Sequence, residues 1–294
     1  MKNIKIYLIL FGGVFALSTS AIWVKVADAP SAVTAFYRLF IAAVTLLPFF
    51  LLRSECREEV RKIQRLQWLR MIAAGLCLAL HYLLWFESLR YTSIASSTVI
   101  VCMQPLFSLA FERFIWKEKL RPTALLGCAI SLLGSAIIGF GDFQISGRSL
   151  FGDIMAFVAA GFIAFYFFLG QTVRKEISAV TYSTLSYFTS AAVLLIYAGL
   201  RGNSLLGYSA RTYGAFLGIA LIATIGGQFI FNLLLKKLPA SAVTMSILGE
   251  PIGTCILAYV FLHEVVAWQQ LIGIVVIIGG LSIYFFLPEH RSNG

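Results

Sequence analysis

Ser246-Ile247-Leu248-Gly249-Glu250-Pro251-Ile252-Gly253 sets an ionisable residue beside a proline in the middle of an apolar run from about residue 240 to 262. Glu250 lies about ten residues into that run, ~15 Å at a helical rise of ~1.5 Å per residue, which is near a bilayer midplane. A carboxylate at that depth costs several kcal/mol unless it is paired, hydrated or protonated. Pro251 cannot donate to the helix ladder, and its ring disturbs the carbonyl of Ile247. Irregular backbone inside a membrane is tolerated only where protein or a water-filled cavity covers it. Met103-Gln104-Pro105 repeats the device earlier in the chain, so Pro105 and Pro251 are both read as helix breaks.

Composition agrees with a membrane setting. The 294 residues are 60% hydrophobic, against about 45–50% apolar in ordinary soluble domains. Apolar runs of span length recur from end to end and predict an all-α membrane protein of ten transmembrane helices. The spans run at roughly 4–25, 32–52, 68–89, 93–115, 122–140, 150–172, 178–199, 212–235, 240–262 and 266–287. The net charge of +10 is not a nucleic-acid signature, because the basic residues fall between the apolar runs. Counted by side, 17 Lys and Arg face one way and five the other, with Arg38 inside a span. The positive-inside rule then puts both termini in the cytoplasm of a bacterial inner membrane. The N-terminus has the look of a signal peptide, but its first span is needed for the repeat described next.

Shifting the chain by 146 residues lays Gln104-Pro105 on Glu250-Pro251, Glu118 on Glu264, Gly127 on Gly273 and Gly134 on Gly280. A shift of 147 lays Ser31-Ala32-Val33-Thr34 on the identical Ser178-Ala179-Val180-Thr181. Two copies are expected, 1–145 and 146–294. Five spans is an odd number, so the second copy is inverted relative to the first, as in secondary transporters with broken helices at the midplane.

Several residues are candidates for a central site. Arg38 and Glu250 are the charges most clearly inside spans, and each half supplies one. They are read either as functional groups, or as a permanent ion pair or a carboxylate hydrogen-bonded to backbone freed near Pro251. His81 shares a helical face with Trp85 and Ser88, so it is either a proton carrier beside Glu250 or a satisfied structural histidine. Gln104 matches Glu250 in the repeat. Gln228 and Asn232 stand at i, i+4 in the eighth span, where they either line a cavity or join helices. Tyr37, Tyr82 and Tyr166 are the remaining substrate-binding candidates, although Tyr also gathers at membrane interfaces. The five cysteines have no metal-ligand spacing, and His263 and His290 lie at or beyond span ends, so no metal and no cofactor are expected. No clustered nucleophile or nucleotide-binding loop is present, which argues against an enzyme or an ATPase.

These features resemble the drug/metabolite transporter superfamily, and within it the EamA family. The resemblance rests on Phe36-Tyr37-Arg38, Leu89-Arg90-Tyr91-Thr92-Ser93, Gln104-Pro105 with Glu118, Gly127 and Gly134, and Glu250-Pro251 with Glu264, Gly273 and Gly280. The second-span arginine has no partner in the second copy, where Leu185 stands. The resemblance implies export of small metabolites, most readily amino acids or related zwitterions, by alternating access. Efflux of drugs or lipophilic cations is the alternative, and proton linkage through Glu250 or a proton-independent facilitator both remain open. The expected partners are a small-molecule substrate and the lipid bilayer, in a monomer or homodimer.

Overall fold

The computed structural model describes residues 2–92, 94–139, 147–262 and 267–287. The repeat position Glu264, and His263 and His290, lie outside them. The described residues are helical, with no strand among them. The chain runs α1 (Lys2–Ser18), α2 (Ser20–Val26), α3 (Ser31–Leu52), α4 (Ser54–Lys62), α5 (Arg65–Ser88), α6 (Ile94–Val101), α7 (Gln104–Phe114) and α8 (Pro122–Gly139). It continues through α9 (Gly147–Val173), α10 (Ala179–Leu200) and α11 (Ala210–Gly218). A π-helical segment (Ile219–Phe229) leads into α12 (Ile230–Leu234), then α13 (Ala240–Ile247), α14 (Glu250–Leu262) and α15 (Trp268–Phe286).

Among the described residues, eight helical stretches are long and apolar enough to cross a membrane, taking α1 with α2, α11 through α12, and α13 with α14 as one stretch each. Pro122–Ile138 is a shorter apolar helix. The remaining expected span, 93–115, is the broken pair α6 and α7, neither of which reaches membrane length alone. The ten stretches read from the sequence therefore meet eight helices of full length.

Both prolines sit one residue inside a half-helix, where a missing N–H costs nothing. Gln104 opens α7 and Glu250 opens α14, each directly before its proline. The preceding turns tighten: Leu248 and Gly249 bond to the carbonyls of Met245 and Ser246, three residues back. The Glu250 carbonyl accepts the Ser18 hydroxyl at 3.1 Å, which ties the second break to α1. Gly253 makes that approach possible, because a Cβ there would collide with Ser18.

The helix packing carries the repeat. α8 lies against α15, and α3 against α10. A Cβ on Gly127 would stand 2.7 Å from the Gly280 carbonyl oxygen, and one on Gly134 2.8 Å from that of Gly273. Positions 127 and 273, like 134 and 280, are mates under the 146-residue shift, so one contact is made twice about a pseudo-two-fold. Tyr82 and Gln228 are also mates, and they bond to each other. The two ends of the described chain meet on one side, where Tyr7 packs edge-on against Phe285 and Phe286.

Candidate functional site

α3, α5, the π segment and the two helix breaks converge on one space of about 50 Å³. Arg38, His81, Tyr82, Trp85, Gln104, Gln228 and Glu250 all line it, as do Ser20, Thr98 and Cys102. Tyr37, Tyr166 and Asn232 do not. Tyr37 donates to the Leu205 carbonyl at 2.7 Å and stacks on Phe216 at 4.6 Å, in an aromatic group with Tyr213. Tyr166 and Asn232 are fully buried in a separate polar cluster one helical turn beyond Gln228. A wider apolar cleft of about 350 Å³ opens between α1, α14 and α15 past Phe15, Ile256 and Ile278, but its lining carries no ionisable group. Chemistry, not size, selects the smaller space.

Arg38 is 1% exposed, yet no carboxylate lies within ion-pair distance of it among the described residues. Hydroxyls hold it instead: Nε donates to Thr224 Oγ1 at 2.9 Å and Nη1 to Ser20 Oγ at 2.8 Å. The guanidinium also lies over the Tyr82 ring, 4.5 Å from its centroid, where the face of the ring attracts a cation. Thr224 is itself fixed by donating to the Ile219 carbonyl five residues back, the spacing of a π-helix. The permanent Arg38–Glu250 ion pair, one of the alternative readings, is therefore not formed here. Both charges line the same space without touching.

The amides and rings around them are partly unsatisfied. Gln228 Oε1 accepts from Tyr82 Oη at 2.9 Å, while Gln228 Nε2, Gln104 Oε1 and Trp85 Nε1 have no partner among the described residues. A carbonyl can only accept, so His81 donates its Nδ1 proton to the Ala159 carbonyl, 3.0 Å away. Its ring stacks on Trp85 at 5.8 Å. Glu250 opens α14, where the unpaired N–H groups of the first turn favour a negative group. The lining thus offers donors and acceptors of both signs beside the rings of Tyr82, Trp85, Phe167 and Phe231. About 50 Å³ holds only a few waters, against ~300–1,000 Å³ for ordinary ligand pockets. The helices must part to admit a metabolite.

Sequence reasoning missed Ser20 and Thr224, the two hydroxyls that hold Arg38. Thr224 was within reach, because Thr224, Gln228 and Asn232 recur at four-residue intervals in the eighth span. Nothing comparable marks Ser20.

All-helical, with eight stretches of membrane length around a small polar cavity, this is an integral membrane protein. The EamA-like transporter family matches residues 4–140 and again 150–286, and the chain belongs to that family. Among its relatives, the uncharacterized transporter YdfC of Bacillus subtilis (strain 168) is 24% identical over 88% of this chain and 83% of its own. The "probable amino-acid metabolite efflux pump" of Salmonella typhimurium (strain LT2) is 26% identical over 65% of this chain and 67% of its own. A crystal structure 16% identical in sequence superposes with a TM-score of 0.80 over 96% of this chain and 97% of that one, a likeness of fold.

Proposed function

We propose that this transporter moves small zwitterionic metabolites, amino acids first, by alternating access between two inverted five-helix repeats, 1–145 and 146–294. In this reading ten helices cross the membrane. Each repeat supplies four full spans or near-spans and one broken span, and both termini face the cytoplasm. The observation that carries the proposal is the cavity itself, which sets Arg38 and Glu250, neither in an ion pair among the described residues, beside unsatisfied amides. A carboxylate suits the arginine side, and an ammonium suits Glu250 and the aromatic rings. The efflux-pump name of the Salmonella relative supports both export and the substrate class.

Glu250 is the group through which a proton is linked to transport. Its repeat mate is Gln104, which has the same shape and cannot titrate in the physiological range. A carboxylate that is alternately hydrated and desolvated, and alternately near and far from an arginine, binds and releases a proton as the protein cycles. His81 is the neighbouring group able to share that role.

The test uses proteoliposomes and labelled amino acids, chosen by the shift in melting temperature that each metabolite produces. Glu250→Gln is expected to fold, to bind, and to keep exchange that no longer responds to pH, while losing accumulation against a gradient. Uphill transport by Glu250→Gln with the pH response of the parent removes Glu250 from the mechanism.

A further inference from the structure

Beyond the cavity, the stripe Thr224–Gln228–Asn232 continues toward the side where the chain ends meet. Asn232 is fully buried, and its Nδ2 stands 2.6 Å from Tyr166 Oη, 2.9 Å from Ser183 Oγ and 3.4 Å from Tyr187 Oη. Its Oδ1 has no partner among the described residues. Turning the amide over would only exchange which end is left unpaired. On the neighbouring α10, Ser186 lies beside Tyr182, whose hydroxyl donates to the Tyr166 carbonyl at 3.0 Å. A buried amide left half unpaired is uncommon in a packed interior, where nearly all such groups are bonded.

The seam ends at Arg174, the residue after α9. It is 4% exposed and has no carboxylate within ion-pair distance among the described residues. Its Nε donates to the Asn232 carbonyl at 2.9 Å, and its Nη1 to the Ile177 carbonyl. Just outside it, Glu59 of α4 accepts from Ser178 N at 2.8 Å and from Thr181 Oγ1 at 2.6 Å, closing the start of α10.

The repeat shows that the fold does not require this polarity. The 146-residue mate of Asn232 is Phe86, and the 147-residue mates of Ser183 and Ser186 are Phe36 and Leu39. These three positions are polar in the second copy and apolar in the first.

We propose that the seam between α9, α10 and α12 is the aqueous passage joining the cavity to the side that carries both chain ends, with Arg174 as its plug. This rests on the alternating-access reading. In the closed arrangement Arg174 spans the seam on two backbone carbonyls. When it swings out, water and a polar substrate meet the amide of Asn232 and the hydroxyls of Ser183 and Ser186.

Single-cysteine variants test this, in a background lacking the five native cysteines, with a membrane-impermeant methanethiosulfonate ammonium reagent applied to oriented vesicles. Ser183→Cys and Ser186→Cys are expected to react from the side of the termini about tenfold faster than Ser190→Cys, because transient opening governs access. Ser190 is the control: it is equally buried, but its hydroxyl lies within bonding distance of the Gly75 and Ser186 carbonyls. Arg174→Gln is expected to raise the Ser183→Cys rate severalfold. If Arg174→Gln does not fold, Arg174→Lys, which cannot reproduce both carbonyl contacts, is read in the same way. Equal rates at all three positions, or a Ser183→Cys rate indifferent to Arg174, overturn the passage, and they leave the carrier reading standing if exchange persists. A labelled seam in a protein that exchanges no metabolite supports the passage and sinks the carrier reading instead.

Discussion

Arg38 is a buried cation whose partners are two hydroxyls and a ring. That arrangement keeps the charge in place while leaving it free to attract an anion, which a carboxylate partner would prevent. Thr224 is central, because it holds Arg38 and is held by the π segment. Thr224→Val keeps the shape and deletes the acceptor. It is expected to lower stability by about 1–3 kcal/mol, the cost of an unsatisfied buried donor, read as a drop in melting temperature. Thr224→Ser restores the acceptor and should recover most of the loss. If Thr224→Val melts with the parent, the hydroxyl is not holding the guanidinium. Glu250 differs in kind, since its interest lies in changing state and not in holding shape, and its substitution by Gln is read in transport and not in melting.

The two broken helices and the capped ends of α10 and α13 show how the halves are fastened. α10 begins at a serine whose backbone N–H is taken by Glu59 of the other half. α13 begins where Ser241 N donates to Glu112 Oε1 at 3.1 Å, again across the halves. Carboxylates at helix N-termini satisfy orphan donors and complement the helix dipole. Glu59→Ala is therefore expected to destabilise by about 0.5–2 kcal/mol, the usual worth of a lost cap, with Glu59→Gln intermediate. Thermal unfolding in detergent measures both. An unchanged midpoint in Glu59→Ala shows that α4 adds nothing to the start of α10. The π segment bears on the same question, because its wider turn sets Thr224 against Arg38 while Gln228 still lines the cavity.

The pseudo-two-fold makes a prediction that no single helix makes. Gly127 and Gly273 occupy mated positions in the α8–α15 contact, and a Cβ at either would meet a backbone oxygen at 2.7 or 2.6 Å. Gly127→Ala and Gly273→Ala should each cost about 1–3 kcal/mol through overpacking, and by similar amounts. Gly279, with nothing within 4 Å of its built Cβ, should accept alanine with a gain of up to about 1 kcal/mol from helix propensity. Loss at one member of the pair with no change at the other breaks the symmetry argument. The inverted topology has its own measurement: cysteines at Gly147 and at Arg61 should be labelled from opposite faces of the membrane, and labelling from the same face rejects it.

Hydropathy, the charge between spans and the 146-residue repeat determined an all-helical membrane protein of two related halves, because burial in lipid forces apolar runs and internal backbone bonding onto the sequence itself. They also marked Arg38, His81, Trp85, Gln104 and Glu250, since polar residues inside such runs are costly and stand out. What the chain could not disclose is which of these groups touch. Arg38 and Glu250 lie 212 positions apart, and only the packing of α3 against the π segment reveals that hydroxyls hold the arginine while the carboxylate stays unpaired. Tyr37, Tyr166 and Asn232 looked the same in sequence as the residues that line the cavity. Tertiary structure separated them, because whether a side chain faces the cavity depends on the rotation of its helix against its neighbours, and no single span records that.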